Sequence, residues 1–178
     1  MSTLKVSTIS PLGTDATKTI TIGDLTNGDT AAGVFTNVPA FSVKLSGNQS
    51  IANGTWTKVT LDTEDYDTDN AFASNKFTVP SGKAGKYCFH YNIGTAAALD
   101  DTERVVGALY KNGSKVDEYS TNTNNSPGNN FDNYVNNTIT LDLSASDYIE
   151  LYVYHTEGAA MNVLSNSCLL QGHRIIGA

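Results

Sequence analysis

The sequence predicts an all-β fold, a sandwich or barrel of antiparallel strands behind an extended N-terminal arm. Three observations predict it. No segment sustains a helical period. Short runs alternate apolar and polar residues along the chain. Asn-Gly, Pro and Gly turns separate those runs, and Asn-Gly is the strongest short hairpin signal. A length of 178 residues fits one domain with an appendage, long enough to bury a core.

Residues 1–38 read as an arm. They are rich in Thr, Gly and Asp, and their apolar residues stand isolated at Leu4, Val6, Ile9, Ile20 and Ile22. KTITI at 18–22 alternates like a strand, yet the segment has too little apolar surface for a core of its own. Such an arm gains order by docking on a neighbour. The junction is FTNVPAF at 35–41, around Pro39.

From residue 40 the strand signals strengthen. AFSVKL alternates Phe41, Val43 and Leu45. ANGT at 52–55 carries a hairpin signal. VPSGKAG combines Pro80 with Gly82 and Gly85 as a turn. GKYCFHYNI then sets Tyr87, Phe89, Tyr91 and Ile93 on one face. KNGS at 111–114 is a further Asn-Gly hairpin. Residues 120–137, STNTNNSPGNNFDNYVNN, read as a long exposed loop with Phe131, Tyr134 and Val135 as its few anchors.

Beyond the loop, NTITLDLS places Ile139, Leu141 and Leu143 on one face. YIELYVYH does the same with Ile149, Leu151 and Val153, while Tyr148, Glu150, Tyr152 and Tyr154 take the other face. SCLLQGHRIIGA is apolar enough to be a buried closing strand.

LDTEDYDTDN at 61–70 packs five acids into ten residues. Asp65, Asp67 and Asp69 alternate as calcium-loop ligands do. However, an EF-hand begun at Asp65 needs Gly at its sixth position and Glu at its twelfth. Those positions are Asn70 and Lys76. The favoured reading is therefore a solvated connection between strands. A cation at Asp65, Asp67 and Asp69 would be calcium, held weakly.

Other chemistry is sparse. His90, His155 and His173 have no metal spacing, and no nucleophile elbow or phosphate-cradling glycine loop occurs. The chain is expected to be non-enzymatic and without a cofactor. Cys88 and Cys168 are too few for a disulfide framework and read as two buried thiols. Sequons at Asn48, Asn53, Asn112, Asn124 and Asn136 follow from the abundance of Asn, Ser and Thr. With 11 Lys and Arg against 18 Asp and Glu, the charge argues against nucleic acid, which requires clustered cations. No apolar run is long enough to insert in a membrane. MSTLKVSTIS lacks the apolar core of a secretory signal, so assembly in a cytoplasm is expected.

Several stretches together carry a resemblance. They are AFSVKL; Tyr66-Asp67 leading to Phe77 and Pro80, then Gly85, Tyr87 and Phe89; LYKNGSKV; TLDLSASDYIELYVYH; and LLQGHRIIGA, with Gly172 at a small position. From Ala40 to the C-terminus the chain resembles the globular head domain of complement component one, subcomponent q. That domain shares a jelly-roll superfamily with tumour necrosis factor. The resemblance implies a ten-strand antiparallel jelly-roll sandwich over residues 39–178 and a homotrimer. It maps EDYDTDN to a solvated turn, and some members of the family bind calcium near the trimer apex.

The family's secretory signal and collagen stalk have no counterpart in this sequence. STLKVSTISPLGTDATKTITIG instead resembles the start of bacteriophage structural proteins, notably marine and cyanobacterial fibre or capsid components. The two resemblances together imply a virion protein: a capsid decoration, fibre or minor tail component bound to other virion proteins through its arm. The alternative is an adhesin module, on a phage tail fibre or a bacterial surface, that recognises a host glycan or protein. Exposed aromatics in a shallow groove, with Trp56 and the tyrosines at hand, would favour that alternative.

Overall fold

The computed structural model describes residues 38–96, 99, 103–121 and 133–177. The arm up to residue 37, with KTITI, lies outside them, as does most of the expected long loop.

Among the described residues two antiparallel sheets, each of seven strands, face each other. The first is built on β7 (Gly85–Ala96). One side of β7 pairs with β11 (Asn133–Leu143) along eleven residues, from Asn133↔Thr95 to Leu143↔Gly85. Its other side pairs with β14 (Leu169–Gly177) and, further along, with β13 (Met161–Val163). β1 (Ala40–Lys44) and then β4 (Thr63–Asp67) extend the sheet beyond β14, and β2 (Gln49–Ile51) flanks β13.

The second sheet centres on β8 (Val105–Lys111) paired with β12 (Tyr148–His155). β9 (Ser114–Lys115) and β10 (Tyr119–Thr121) line the far side of β8. β3 (Thr57–Lys58) and β6 (Lys76–Thr78) line the far side of β12, and β5 (Phe72–Ala73) pairs with β6. The expected jelly-roll sandwich forms, in fourteen strand segments among the described residues where ten were expected. The excess comes from ladders of two or three residues that trim the sheet ends. A single 3-10 turn, Ser165–Ser167, is the one helical element among the described residues.

The alternation read from the sequence sets the core. Tyr87, Phe89, Tyr91 and Ile93 face inward and are fully buried, as are Ile149, Leu151 and Val153 from the opposite sheet. Phe41 stacks on Phe77 with centroids 4.6 Å apart and lies 5.6 Å from Phe72. Each such ring, removed from water, contributes on the order of 1.5–3 kcal/mol. The Tyr91 hydroxyl, which enters the core, donates to the Gly107 carbonyl at 3.1 Å. Burial also pushes the Tyr91 phenol above its usual pKa.

Turn chemistry holds at KNGS. Tyr110 pairs with Lys115 and Lys111 with Ser114, leaving a two-residue loop. Asn112 and Gly113 have φ of 52° and 78°, the positive pair that a type I′ turn requires.

Four expectations change. ANGT joins no hairpin: β2 before it pairs in the first sheet and β3 after it in the second, so the turn carries the chain across the sandwich. Asn133–Asn137 belong to β11, with Val135 fully buried. Asn-rich composition had hidden an inward alternation of Asn133, Val135 and Ile139. The closing strand is buried at Leu170 but exposes 55% of Ile175 and 60% of Ile176. A bulge between Arg174 and Ile176 breaks the inward alternation there. Cys168 is buried in the core, whereas Cys88 is half-buried; both are free thiols.

Candidate functional site

The acidic stretch is an edge strand, and only its last residues turn. Thr63–Asp67 form β4 at the rim of the first sheet. Asp65 is the extra residue of a bulge, because Ser42 pairs with Tyr66 while Val43 pairs with Glu64. Its carboxylate forms an ion pair with Lys44 and accepts a hydrogen bond from the Ser42 hydroxyl at 3.4 Å. The Lys44 bond holds the Asp65 carboxyl below the usual range.

Asp67 instead closes the following turn, accepting from the Phe72 amide at 2.7 Å and the Asp69 amide at 3.3 Å. Asp69 accepts from the Thr68 hydroxyl at 2.9 Å. Asp62 accepts from the Ser46 amide and hydroxyl, both at 2.7 Å, which lowers its pKa. Thus the acids expected to share one ion are drawn to separate partners. No three His, Cys, Asp or Glu side chains among the described residues are arranged to hold a metal. Charge along an open strand also discourages edge-to-edge pairing with another chain.

The histidines do not converge on one centre. His155 is fully buried, with Nε2 3.1 Å from the Ile51 carbonyl and Nδ1 accepting weakly from the Glu157 amide at 3.4 Å. Both ring nitrogens therefore serve the fold. His90 lies on the outward face of the first sheet, 3.0 Å from the Thr138 hydroxyl. There, His90, His173, Cys88, Gln171 and Tyr66 line a depression of about 160 Å³. Tyr66 is 50% exposed, and Tyr134 on β11 is 48% exposed. This face mixes hydrogen-bonding groups with uncovered rings.

The outward face of the second sheet is more sharply built. Inward burial of Ile149, Leu151 and Val153 forces Tyr148, Glu150, Tyr152 and Tyr154 outward. The register sets Val106 opposite Tyr154, Ala108 opposite Tyr152 and Tyr110 opposite Glu150. Trp56, just before β3, packs 5.4 Å from Tyr154 and 6.1 Å from Tyr110, with interplanar angles of 36° and 59°. Tyr110 stacks on Tyr152 at 4.1 Å.

Cations border these rings. Lys115 Nζ lies 4.9 Å from the Trp56 centroid, and the Arg104 guanidinium lies 5.9 Å from that of Tyr154. Lys115 forms an ion pair with Glu118, which lowers the Glu118 pKa. Between them opens a cleft of about 300 Å³ lined by Trp56, Arg104, Val106, Lys115, Glu118 and Tyr154. Nearby, Lys58 and the largely buried Glu150 form an ion pair at 2.7 Å. Lys58 also donates to the Ser74 carbonyl at 3.0 Å, which holds the cation of the pair in place.

No protein-family model matches the chain, and no curated protein matches it. Solved structures do. The globular domain of zebrafish complement 1qA protein is similar with a TM-score of 0.54 and 19% identity, over 79% of this chain and 99% of that one. The Eiger tumour necrosis factor of S. frugiperda gives a TM-score of 0.59 at 12% identity, over 79% and 93%. Murine APRIL gives 0.55 at 11% identity, over 78% and 100%. The fold is the complement-head and tumour-necrosis-factor jelly roll. At these identities the likeness is one of backbone, and the side chains of the two faces are this chain's own.

Within the jelly roll, Trp56 and the tyrosines were foreseen as candidates for an aromatic groove, but its place and its cations Arg104 and Lys115 were not. One signal was present: aromatic residues on the face of β12 that alternation assigns to solvent. The convergence was not legible, because Trp56 is far in sequence from Arg104 and Lys115 and meets them only through the pairing of β3, β12 and β8.

Proposed function

We propose that this chain is a non-enzymatic structural protein of a bacteriophage virion. It assembles as a homotrimer, docks through residues 1–38 on other virion proteins, and displays its jelly-roll head as a capsid decoration, fibre or minor tail component. The observation that carries self-association is the outward face of the first sheet. Tyr66 lies half-exposed there beside His90, Gln171 and His173, which carry bonding groups that a second copy can satisfy, and Tyr134, also half-exposed, lies farther along the same sheet opposite Gly94. Likeness to complement-head and tumour-necrosis-factor domains supports a closed oligomer. The resemblance of the arm to phage structural proteins supports the virion setting.

Light scattering on the full chain tests assembly: a trimer is expected at micromolar concentration, and monomer alone overturns it. Cryo-electron microscopy of the particle encoded with the chain tests the setting, with density for trimeric heads expected on its surface. A gene surrounded by no virion genes would count decisively against it.

A second reading is favoured by one observation, the aromatic cleft beside Trp56. Rings on a solvent-facing sheet suit stacking against sugar C–H faces, so the head also serves as a glycan-recognising module. Retention of the full chain on immobilised host-surface glycans tests this, and no retention on any of them overturns it.

A further inference from the structure

We propose that the cleft beside Trp56 takes the carboxylate-bearing unit of an acidic saccharide, with the Trp56 and Tyr154 rings against the sugar and Arg104 on its carboxylate. The inference rests on the glycan-recognising reading above and specifies its ligand.

The shape argues for one compact unit. A volume of about 300 Å³ lies at the small end of ligand-pocket sizes. The floor is Val106, 4% exposed although the register places it on the outward face. Trp56 and Tyr154 meet at 36°, so their rings form an angled wall. An angled aromatic wall over an apolar floor suits a pyranose ring, which presents C–H groups on its faces and hydroxyls around its rim.

The charges argue for an acid. Two cations and one carboxylate line the cleft, in a chain whose net charge is -7. Lys115 is engaged by Glu118 while lying over Trp56. Among the described residues Arg104 makes no ion pair; its backbone amide is tied to the Thr156 hydroxyl at 3.0 Å, which fixes where its side chain starts. A guanidinium fork binds a carboxylate through two parallel hydrogen bonds. Glu118 stands as an acceptor for a sugar hydroxyl and as a repulsive group against a second negative charge. The arrangement therefore fits one carboxylate flanked by hydroxyls better than a densely sulfated chain.

The chain supplies its own reporter. Trp56 is the only tryptophan, so intrinsic emission reads this cleft alone. The full-length protein is applied to arrayed glycans in which each uronic- or sialic-acid-bearing member has a neutral counterpart. A retained glycan is then titrated while Trp56 emission is followed. Binding confined to acidic members is expected, with a saturable change in emission. Arg104→Gln and Tyr154→Ala should each weaken it by on the order of tenfold or more, and Arg104→Gln should do so with an unfolding midpoint within a degree or two of the parent. Arg104→Lys should recover part of the loss.

Equal binding of neutral counterparts overturns the acidic ligand and leaves glycan recognition standing. Absence of binding to any glycan overturns both readings. Acidic binding that survives Arg104→Gln places the site elsewhere. Full competition by sodium sulfate at the concentration of the glycan reduces the cleft to a simple anion site, which also overturns the proposal.

Discussion

Gly172 pairs with Phe41 across the ladder of β14 and β1, and there is no room for a side chain between them. A Cβ at Gly172 would come within 2.9 Å of the Phe41 ring and 2.7 Å of the Phe89 ring. The absent side chain lets both rings lie against the sheet and lets Phe41 stack on Phe77. Gly172→Ala is expected to destabilise the head by roughly 1–3 kcal/mol, the cost of overpacking a filled core. Urea unfolding should show a lower midpoint with an unchanged slope. A midpoint equal to that of the parent would show that the rings move aside freely.

Asp147 predicts the acid limb of stability. Lys111 Nζ lies 2.9 Å from its carboxylate, Asn112 Nδ2 donates at 2.7 Å, and the Ser144 amide donates at 2.8 Å. The Lys111 bond first, then the Asn112 bond, holds its pKa down to about 2 against an ordinary 3.8. The folded carboxyl binds its proton more weakly than the unfolded one. This contribution is therefore present above about pH 4 and is lost as pH falls through about 2. Asp147→Asn should lower the melting temperature at neutral pH and flatten its decline between those limits. Asp62 and Asp65, also lowered, keep some of the slope. An unaltered pH profile in the variant would refute the assignment.

The two thiols should react differently. Cys168 is 1% exposed, and burial pushes its pKa up to about 12. At pH 8 only about one molecule in ten thousand carries its thiolate, the reactive form. It should resist a disulfide reagent until the protein unfolds. Cys88 lies on the outward face proposed for self-association, paired in register with His173 and Thr140. It should be protected where the oligomer persists and become labelled on dilution. Fast labelling of Cys88 at concentrations where light scattering reports a trimer would remove this face from the interface.

Truncation should leave the head folded if it stops before Val38. The Thr68 hydroxyl oxygen accepts from the Ala40 amide at 3.0 Å and lies 3.2 Å from the Val38 carbonyl, and the Pro39 carbonyl accepts from the Arg174 amide at 2.9 Å. These residues tie the strand entrance to β14 and to the turn after β4. Removal of residues 1–37 is expected to shift the melting temperature by no more than a few degrees while abolishing incorporation into particles. Loss of cooperative unfolding would show that the arm is part of the head.

What was legible in the sequence was the part fixed by strict alternation. In β7, four apolar residues at every second position could only face one way, and all four are buried. The Asn112-Gly113 hairpin was legible because positive φ at both positions is a local demand. Three features were not local. ANGT has hairpin chemistry, but its flanking strands found partners in opposite sheets. Asn133–Asn137 became strand because the length of β7 offered a ladder, against a composition poor in apolar residues. The Trp56 cleft depends on register across three strands, which no stretch of sequence encodes alone.

Calcium should change the stability of this protein little or not at all. A cation would relieve repulsion among Asp62, Glu64, Asp65, Asp67 and Asp69, yet exposed pairs of this kind repel by only tenths of a kcal/mol, screened by salt. Most of that repulsion is already met from within. Lys44 sits on Asp65, Ser46 bonds Asp62, and backbone amides bond Asp67. To gather Asp65, Asp67 and Asp69 around one ion, the chain would have to break these bonds and the bulge pairing of β4 with β1. Linkage gives the scale: one site at about 100 times its dissociation constant would add roughly 2.7 kcal/mol. Thermal unfolding in millimolar calcium and in chelator should therefore give melting temperatures within a degree or so of each other. A large upward shift that disappears in the Asp65→Ala, Asp67→Ala double variant would establish a metal site at this edge instead.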